Sequence, residues 1–192
     1  MTDDELSEAA KASLKNHAAD PVVLAPYNPA WAEQFRGISD QLFDACGDKL
    51  VAVHHIGSTG VPGLAAKPLI DLMPALRHHD EGASLAPLLE PLGFVYFGAY
   101  GIEGRHFFRR KAEINVNVHM FETGHIEIER HLVFRNALRA DEGLRAAYQN
   151  LKEELAERFP NDVDSYAKSK SDFIEKNLRD LGAPERPSGP DR

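Results

Sequence analysis

The sequence contains very little cysteine and no long apolar run. Its single cysteine, Cys46, excludes a disulfide within the chain and is typical of proteins from a reducing compartment. No stretch reaches the roughly 18 consecutive apolar residues of a membrane-spanning helix. The N-terminal residues, MTDDELSEAA, are acidic where a signal peptide would be basic and then apolar. These absences predict a cytoplasmic protein with no membrane partner.

Basic residues are also scarce, since the chain has 22 of them against 30 acidic residues and a net charge of −8. A protein that binds nucleic acid through the phosphate backbone presents a broad basic surface. We therefore expect no nucleic-acid partner. An anionic ligand must instead be held by a local basic pocket.

The chain divides into an appendage, a main domain and a tail. Residues 1–20 are rich in helix-forming residues but have a thin apolar stripe, so they are interpreted as an appendage that can be helical. Residues 182–192 are rich in proline and glycine and are predicted to form a disordered tail. Strand patterns dominate residues 21–124 and helical patterns dominate residues 125–181. This order predicts an α+β fold, with a mixed β-sheet packed by helices and a C-terminal helical bundle.

Within the sheet-rich part, period-two alternation and turn residues mark the elements. Strands are predicted at 22–27, 50–56, 68–76, 94–99, 106–112 and 113–121. Helices are predicted from Pro29 to Cys46 and at 80–93, where Gly93 is suited to end the second one. The helical part is predicted to break near 141–143 and 160–161.

Two predicted strands carry polar residues on one face. Alternation places Asp71 and Met73 on the same face of one strand. On the other strand, one face is apolar and the opposite face carries Glu113, Asn115, Asn117 and His119. A face turned to solvent accounts for this pattern. The alternative is a site in which Asp71 lies beside Asn117 and His119, because aspartate and histidine can bind divalent metals or relay protons.

The turn between the predicted strands at 50–56 and 68–76 reads GSTG, from Gly57 to Gly60. Its glycines let backbone N–H groups converge on an anion, and the hydroxyls of Ser58 and Thr59 add donors. Lys67 supplies a compact positive charge suited to a phosphate. The turn is not a Walker A loop, because no Gly-Lys-Ser/Thr occurs and a strand follows. An ordinary hairpin turn remains the alternative.

Several side chains of the helical part repeat at one-turn spacing. Arg135 and Arg139 fall on one helix face, where two guanidinium groups can clamp a phosphate or pair with nearby acids. Tyr166 and Lys170 are one turn apart, although a lysine there is more typical of the surface. Of the neighbouring His54 and His55, one is expected to point inward.

Longer motifs resemble a known family. YNPAWAEQF, HHIGSTGVPGLAAKPLIDL, NVHMF, RHLVFRNALRA, AYQNLKEELA and YAKSKSDFI occur in the order seen in the GrpB family. The similarity covers residues 22–181. GrpB-like proteins resemble the nucleotidyltransferase superfamily, whose fold is that of polymerase β-type enzymes. The resemblance therefore implies a nucleotidyltransferase-like fold that binds a nucleotide or another phosphorylated small molecule.

The resemblance also implies roles for individual residues. The phosphates would be held by Gly57, Ser58, Thr59, Lys67, Arg135, Arg139 and Lys170. Asp71 would bind a divalent cation, Mg²⁺ or Mn²⁺, with help from His119, or His119 would act as a general base. His55, Asn117 and Tyr166 would support these groups. The implied reaction transfers a nucleotidyl group from a nucleoside triphosphate to a small molecule.

One residue departs from the superfamily pattern. The pattern places a second acid two residues after the first, where this chain has Met73. A pair of cations about 4 Å apart is held by two or three carboxylates, and one aspartate with an asparagine and a histidine holds such a pair poorly. Within the family, Asn136 stands where aspartate is usual. Two functions therefore stay open: a nucleotidyltransferase-like enzyme (or a hydrolase built on the same cleft), and a non-catalytic module that binds nucleotides or phosphometabolites.

Overall fold

A computed structural model describes residues 8, 10 and 21–187. The predicted appendage lies almost wholly outside the described residues. Glu8 and Ala10 are both helical, and Ala10 is buried against Phe97 and Phe107. Within the described residues, no helix is both long and apolar enough to cross a membrane.

The main domain alternates strands with short helices and then becomes wholly helical. The strands are β1 (Leu50–Ile56), β2 (Leu69–Leu76), β3 (Val95–Tyr96), β4 (His106–Arg110) and β5 (Asn115–Glu122). The α-helices within residues 21–187 are α1 (Ala30–Cys46), α2 (Ala86–Leu89), α3 (Ile126–Ala140), α4 (Glu142–Arg158), α5 (Val163–Lys168) and α6 (Ser171–Asp180). Short 3₁₀ turns occupy Gly47–Lys49, Ser58–Gly60, His79–Leu85 and Glu90–Leu92.

The five strands form one mixed sheet in the order β1-β2-β5-β4-β3. Neighbours are antiparallel except for β2 and β5, which run parallel. The register places Asp71 beside Ile56 on one side and beside Asn117 on the other. Of the two alternatives that the sequence leaves open, the structure thus has the one in which Asp71 lies beside Asn117.

One face of the sheet packs on α1. The helix turns Trp31, Ile38 and Leu42 inward because they recur at helical spacing, and their side chains are at most 5% exposed. They contact the apolar face of β2 and β5, where Ile70 and Val116 are fully buried. Burial of each such side chain contributes roughly 1.5–3 kcal/mol to folding.

The opposite face is divided along its length. Toward the ends of β2 and β5, Met73, Ala75 and Phe121 pack against Ile128 of α3. At the start of the same strands, the face carries the polar residues Asp71 and Asn117. The C-terminal helices therefore cover only part of this face, and the polar part opens into a cleft.

The helical bundle is delimited by side-chain caps and breaks. Asp141 accepts a hydrogen bond from the backbone N–H of Leu144 at 2.9 Å, and Asp162 accepts one from Ser165 at 2.9 Å. These caps start α4 and α5 at the two predicted breaks. A further break at 169–170, which the sequence does not predict, separates α5 from α6 and brings Lys170 to the start of α6.

Three segments differ from the sequence predictions. Residues 22–27 form only an isolated bridge between Ala25 and Ala66. The helix predicted at 80–93 is a short α-helix flanked by 3₁₀ turns, because Pro91 lacks the N–H that would continue it. The beginning of the predicted disordered tail packs on the domain, where Ala183 is buried and Arg186 pairs with Glu127. Residues 188–192 lie outside the described residues.

Candidate functional site

The loop after β1 begins with Gly57, whose backbone conformation requires glycine. Its φ of +68° lies in the left-handed region, and a Cβ atom there would overlap the Asp71 carboxylate. Gly57 therefore permits close packing on Asp71. Beside it, the side chain of Ser58 lies near Tyr148 of α4, and both line the second chamber described below.

Thr59 and His55 hold the loop against the sheet. The Thr59 hydroxyl donates to the backbone oxygen of Leu69 at 3.0 Å and lies 3.1 Å from Nε2 of His55. The His55 ring stacks on Phe35 with 4.6 Å between centroids. Burial lowers the pKa of His55 to about 4, although the charge of Asp71 opposes this shift. His55 is thus the inward-pointing histidine of the pair and is neutral at pH 7.

A row of polar side chains crosses β4, β5 and β2. Nε of Arg109 donates to Asn117 Oδ1 at 3.0 Å, and Nδ2 of Asn117 donates to Asp71 Oδ1 at 3.1 Å. Nε2 of His119 lies 3.5 Å from the same carboxylate oxygen. Burial raises the pKa of Asp71, but the hydrogen bonds and charges of His119, Asn117 and Lys170 outweigh it and lower the pKa overall. Asp71 is therefore an ionised carboxylate that bridges the strands and α6.

His119 has a second polar neighbour. Nη1 of Arg105 lies 3.3 Å from Nδ1 of His119, and a guanidinium group can only donate. With Nδ1 as the acceptor of this hydrogen bond, Nε2 is the ring nitrogen that carries the N–H toward Asp71. In this tautomer Nε2 has no lone pair for a metal ion or for an acceptor's proton.

The donor set does not fit a pair of divalent cations. Met73, at the position of the second acid, is fully buried in an apolar cluster with Ile56, Phe121 and Ile128. No group of three or more His, Cys, Asp or Glu side chains able to hold a metal ion occurs among the described residues. Asp71 is then the one carboxylate of the polar row, which is too few for a two-metal site.

A cleft of about 370 Å³ opens beside this row. Its lining brings together most of the residues that the sequence predicts: Ser58, Thr59, Lys67, Asp71, Asn117, His119, Tyr166 and Lys170. The cationic side chains of the lining are Lys67, Arg105, Arg109, Lys152 and Lys170, and its acidic ones are Asp71 and Asp164. Aromatic rings of Tyr100, Phe107 and Tyr166 complete the walls. The cleft is therefore basic although the protein as a whole is acidic.

Two of these lysines are held in unusual surroundings. Lys152 of α4 is 1% exposed, and its ammonium group donates to the backbone oxygen of Ala65. Burial lowers the pKa of Lys152 to about 7, and Lys170 lowers it further in the same direction. The ammonium of Lys170 lies 4.2 Å from the centre of the Tyr166 ring. Burial, followed by the charge of Lys67, lowers the pKa of Lys170 to about 8.

Arg135 and Arg139 occupy a different place from the predicted phosphate clamp. Nη1 of Arg135 donates to the backbone oxygen of His55 at 2.8 Å, and Nε of Arg139 donates to that of Gly60 at 2.8 Å. Both lie outside the lining of the cleft. Their guanidinium groups tie α3 to the loop after β1, so they support the loop from behind.

A second chamber of about 300 Å³ lies on the other side of Asp71. It shares Ser58, Asp71 and Lys170 with the cleft, and Gly57 lines it. Its polar end holds Glu127, Arg130, Glu175 and Arg186 in mutual ion pairs. The sequence analysis does not predict this chamber.

Three cations of the cleft were not predicted from the sequence: Arg105, Arg109 and Lys152. Alternation along β4 would have found two of them, because Arg105 and Arg109 share a face with Phe107, which pairs with His119. Lys152 carries no such signal, because its burial depends on how α4 packs against the loop after β1.

Comparisons with known proteins agree with this architecture. The sequence model of the GrpB protein family matches residues 21–180. The chain belongs to the GrpB family. A UPF0157 protein of Halalkalibacterium halodurans is 32% identical over 182 residues, which cover 95% of this chain and 93% of that protein. The UPF0157 protein YqkA of Bacillus subtilis is 36% identical over 149 residues, or 77% of this chain, and the chain spans only 43% of its length.

Solved structures place this GrpB-family protein among known folds. The crystal structure of conserved protein GrpB from Enterococcus faecalis matches with a TM-score of 0.78 at 35% identity, covering 83% of this chain and 96% of that one. A Cid1 poly(U) polymerase structure with bound Mg and 3′-dATP matches with a TM-score of 0.50 at 12% identity, covering 79% of this chain and 48% of that one. The second likeness concerns the fold alone. The predicted nucleotidyltransferase-like α+β fold is confirmed.

Proposed function

We propose that this GrpB-family protein binds a nucleotide or another phosphorylated small molecule in the cleft beside Asp71. The observation that carries the proposal is the charge of the cleft. Five cationic side chains and two acidic ones line it in a protein whose net charge is −8. A local excess of positive charge within an acidic protein is what a site for a polyanionic ligand requires.

The buried lysines favour the same ligand. A charged ammonium group in a desolvated site lowers stability, and an anion beside it offsets that loss. Lys152 and Lys170 have pKa values lowered to about 7 and about 8, so a bound phosphate raises both values and increases their charge. We therefore expect the protein to take up protons when it binds the ligand near pH 8. The aromatic walls at Tyr100, Phe107 and Tyr166 suit the ring of a nucleotide base.

A second candidate function is transfer of a nucleotidyl group to a small acceptor molecule. The observation that favours it is the position of Asp71, which lines both the cleft and the second chamber. A phosphate held in the cleft and an acceptor held in the chamber would meet at this carboxylate. In such a reaction Lys170 and Lys67 hold the phosphates, and Asp71 keeps His119 and Lys170 oriented. The donor set around Asp71 does not fit two cations, so simple binding is the function that the geometry supports best.

Titration calorimetry with each nucleoside triphosphate and with pyrophosphate tests binding. Runs at pH 8 in buffers of different ionisation enthalpy report the protons taken up. Binding accompanied by proton uptake supports the proposal. If neither pyrophosphate nor any of the nucleotides binds to the wild-type chain, the cleft is not a site for phosphorylated ligands.

Label transfer tests the second candidate. The chain is incubated with α-labelled triphosphates, Mg²⁺ or Mn²⁺, and a metabolite extract, beside the Asp71→Asn variant. Release of pyrophosphate that is lost in Asp71→Asn identifies an enzyme. Nucleotide binding without turnover in the wild-type chain identifies a binding module.

A further inference from the structure

The second chamber has an apolar end and a charged end. Phe134, Leu138, Tyr148, Ile174 and Leu178 line the apolar end. At the other end, the carboxylates of Glu127 and Glu175 face the guanidinium groups of Arg130 and Arg186. A volume of about 300 Å³ is at the lower end of the range for sites that hold small organic molecules.

The charged end already holds a guanidinium group from the chain itself. Nε and Nη2 of Arg186 donate to the two oxygens of Glu127 at 2.6 and 3.0 Å, and Nη1 donates to Glu175 at 2.8 Å. The Arg186 side chain is 51% exposed, whereas the Glu127 side chain is only 3% exposed. The buried carboxylate of Glu127 thus accepts two hydrogen bonds from the guanidinium group of Arg186, a half-exposed residue at the edge of the chamber.

The segment that carries Arg186 is held by few contacts. Residues 183–187 follow α6 without regular secondary structure. Besides Arg186, the segment is fastened by the burial of Ala183 and by a hydrogen bond of 2.6 Å from Nη1 of Arg130 to the backbone oxygen of Pro184. Release of the Arg186 side chain does not itself break the burial of Ala183 or the hydrogen bond to Pro184.

Removal of the Arg186 head would leave Glu127 and Glu175 with Arg130 as their guanidinium partner, while His131 stays 3.7 Å from Glu127. Burial raises the pKa of Glu127, and the hydrogen bonds and charge of Arg186, with those of His131 and Arg130, more than reverse that effect. A buried carboxylate that loses its partner attracts another cation strongly. An anionic ligand would instead meet Glu127 and Glu175. The chamber without Arg186 is thus complementary to a cationic head with an apolar body.

We propose that the second chamber binds a cationic small molecule, an amine or guanidine on an apolar or aromatic body, whose head replaces Arg186 between Glu127 and Glu175. Arg186 is then an internal competitor that occupies the site until the ligand displaces it. This ligand is distinct from the phosphorylated one and occupies the opposite side of Asp71.

Titration calorimetry with 2-phenylethylguanidine tests the proposal, with neutral 2-phenylethanol as the matched control. The variants are Arg186→Ala, which empties the position, and Arg186→Lys, which keeps a cation there. We expect Arg186→Ala to bind the guanidine at least about tenfold more tightly than the wild-type chain, and Arg186→Lys to resemble the wild type. Equal binding by wild type and Arg186→Ala, or binding of the alcohol as tight as that of the guanidine, overturns the proposal.

Hydrogen exchange in the wild-type chain provides a readout that does not depend on a variant folding. The guanidine is expected to speed exchange of the backbone amides of residues 185 and 186, because it displaces their anchor. Unchanged exchange at saturating guanidine contradicts the displacement. Pyrophosphate affinity, measured on the same samples, is expected to be equal in Arg186→Ala and wild type. If the cleft does not bind pyrophosphate, the proposed function fails, but the guanidine titration still tests the chamber separately.

Discussion

The cleft and the second chamber share Ser58, Asp71 and Lys170, but they differ in the balance of cationic and acidic side chains. The cleft gathers five cationic side chains and only two acids. The polar end of the chamber balances two carboxylates against two guanidinium groups, with contacts of 2.5 Å between Arg130 and Glu175 and of 2.6 Å between Arg186 and Glu127. In the cleft lining the cationic side chains outnumber the acidic ones, whereas in the chamber the chain supplies both charges of each ion pair. Substitutions in the two regions should accordingly change different properties, affinity in the cleft and stability in the chamber.

The largest effect is expected from Glu127→Gln in the chamber. Breaking a buried ion pair by removing one partner costs about 3–5 kcal/mol, because Arg130 and Arg186 then lose a buried carboxylate. Chemical denaturation measures the loss, and Glu154→Gln, on an exposed part of α4, is the matched control. A loss no greater than that of the control would mean that the ion pairs contribute nothing net.

The pH dependence of this substitution has a definite sign. The pKa of Glu127 is lowered in the folded protein, so its contribution is complete above the unfolded value and is lost as pH falls through the folded value. The difference in stability between wild type and Glu127→Gln is therefore expected to shrink toward acid pH. Denaturation curves recorded at neutral and acid pH check this trend.

In the cleft, Lys170→Ala is expected to weaken pyrophosphate binding by roughly tenfold to a hundredfold. A hydrogen bond to a charged group contributes about 1.5–3 kcal/mol, and Lys170 lies between both cavities. Calorimetry at low and high salt measures the change, which should be smaller at high salt. Lys168→Ala, two residues away and exposed, is the control. Equal losses in the two variants would point to general surface charge.

The sheet of this molecule could be predicted because its signals are local. Alternation in β2 and β5 placed Asp71 and Asn117 on one face, and the register confirms that they are neighbours. The resemblance to the nucleotidyltransferase superfamily, and not the alternation, marks Met73 as the position of a second acid, and the structure shows that the fold uses an apolar residue there. Met73 faces Phe121 and Ile128 in an apolar cluster, where a carboxylate would be desolvated.

The parts that the sequence did not predict depend on contacts between distant segments. The helical spacing of Arg135 and Arg139 predicted that Arg135 would bind a phosphate. In the structure Arg135 instead donates to the backbone oxygen of His55, which is 80 residues away in the sequence. Composition predicted a disordered tail, yet one ion pair between Arg186 and Glu127, separated by 59 residues, fastens part of it. Periodicity carries no information about such pairs.

Lys152 lines the cleft, and the burial of its ammonium group lowers the stability of the protein. Its folded pKa, about 7, lies below the ordinary value of 10.5, so the unfolded chain binds more protons between these values and stability rises with pH across them. Lys152→Met is expected to stabilise the protein at pH 7, because removing the desolvated ammonium group outweighs the loss of the hydrogen bond to Ala65, which contributes about 1 kcal/mol.

The gain from Lys152→Met should be largest at and below pH 7 and should shrink as pH rises toward 10. Thermal unfolding across this range measures it, with Lys168→Met as the exposed control. The same variant is expected to bind pyrophosphate more weakly, because it removes a cation from the cleft. A variant that is less stable than wild type at pH 7 would show that the hydrogen bond to Ala65 outweighs the desolvation of the ammonium group.

The smallest effect is expected from Arg135→Ala, which separates support of the loop from binding of the ligand. Its guanidinium group donates to the backbone oxygen of His55, so its loss should lower the free energy of unfolding by about 1 kcal/mol. Because Arg135 lies outside the cleft lining, pyrophosphate affinity should change by no more than about threefold, as in the exposed control Arg36→Ala. An affinity loss as large as that of Lys170→Ala would instead make Arg135 a phosphate ligand, and the positive charge that meets the ligand would then extend from the cleft onto α3.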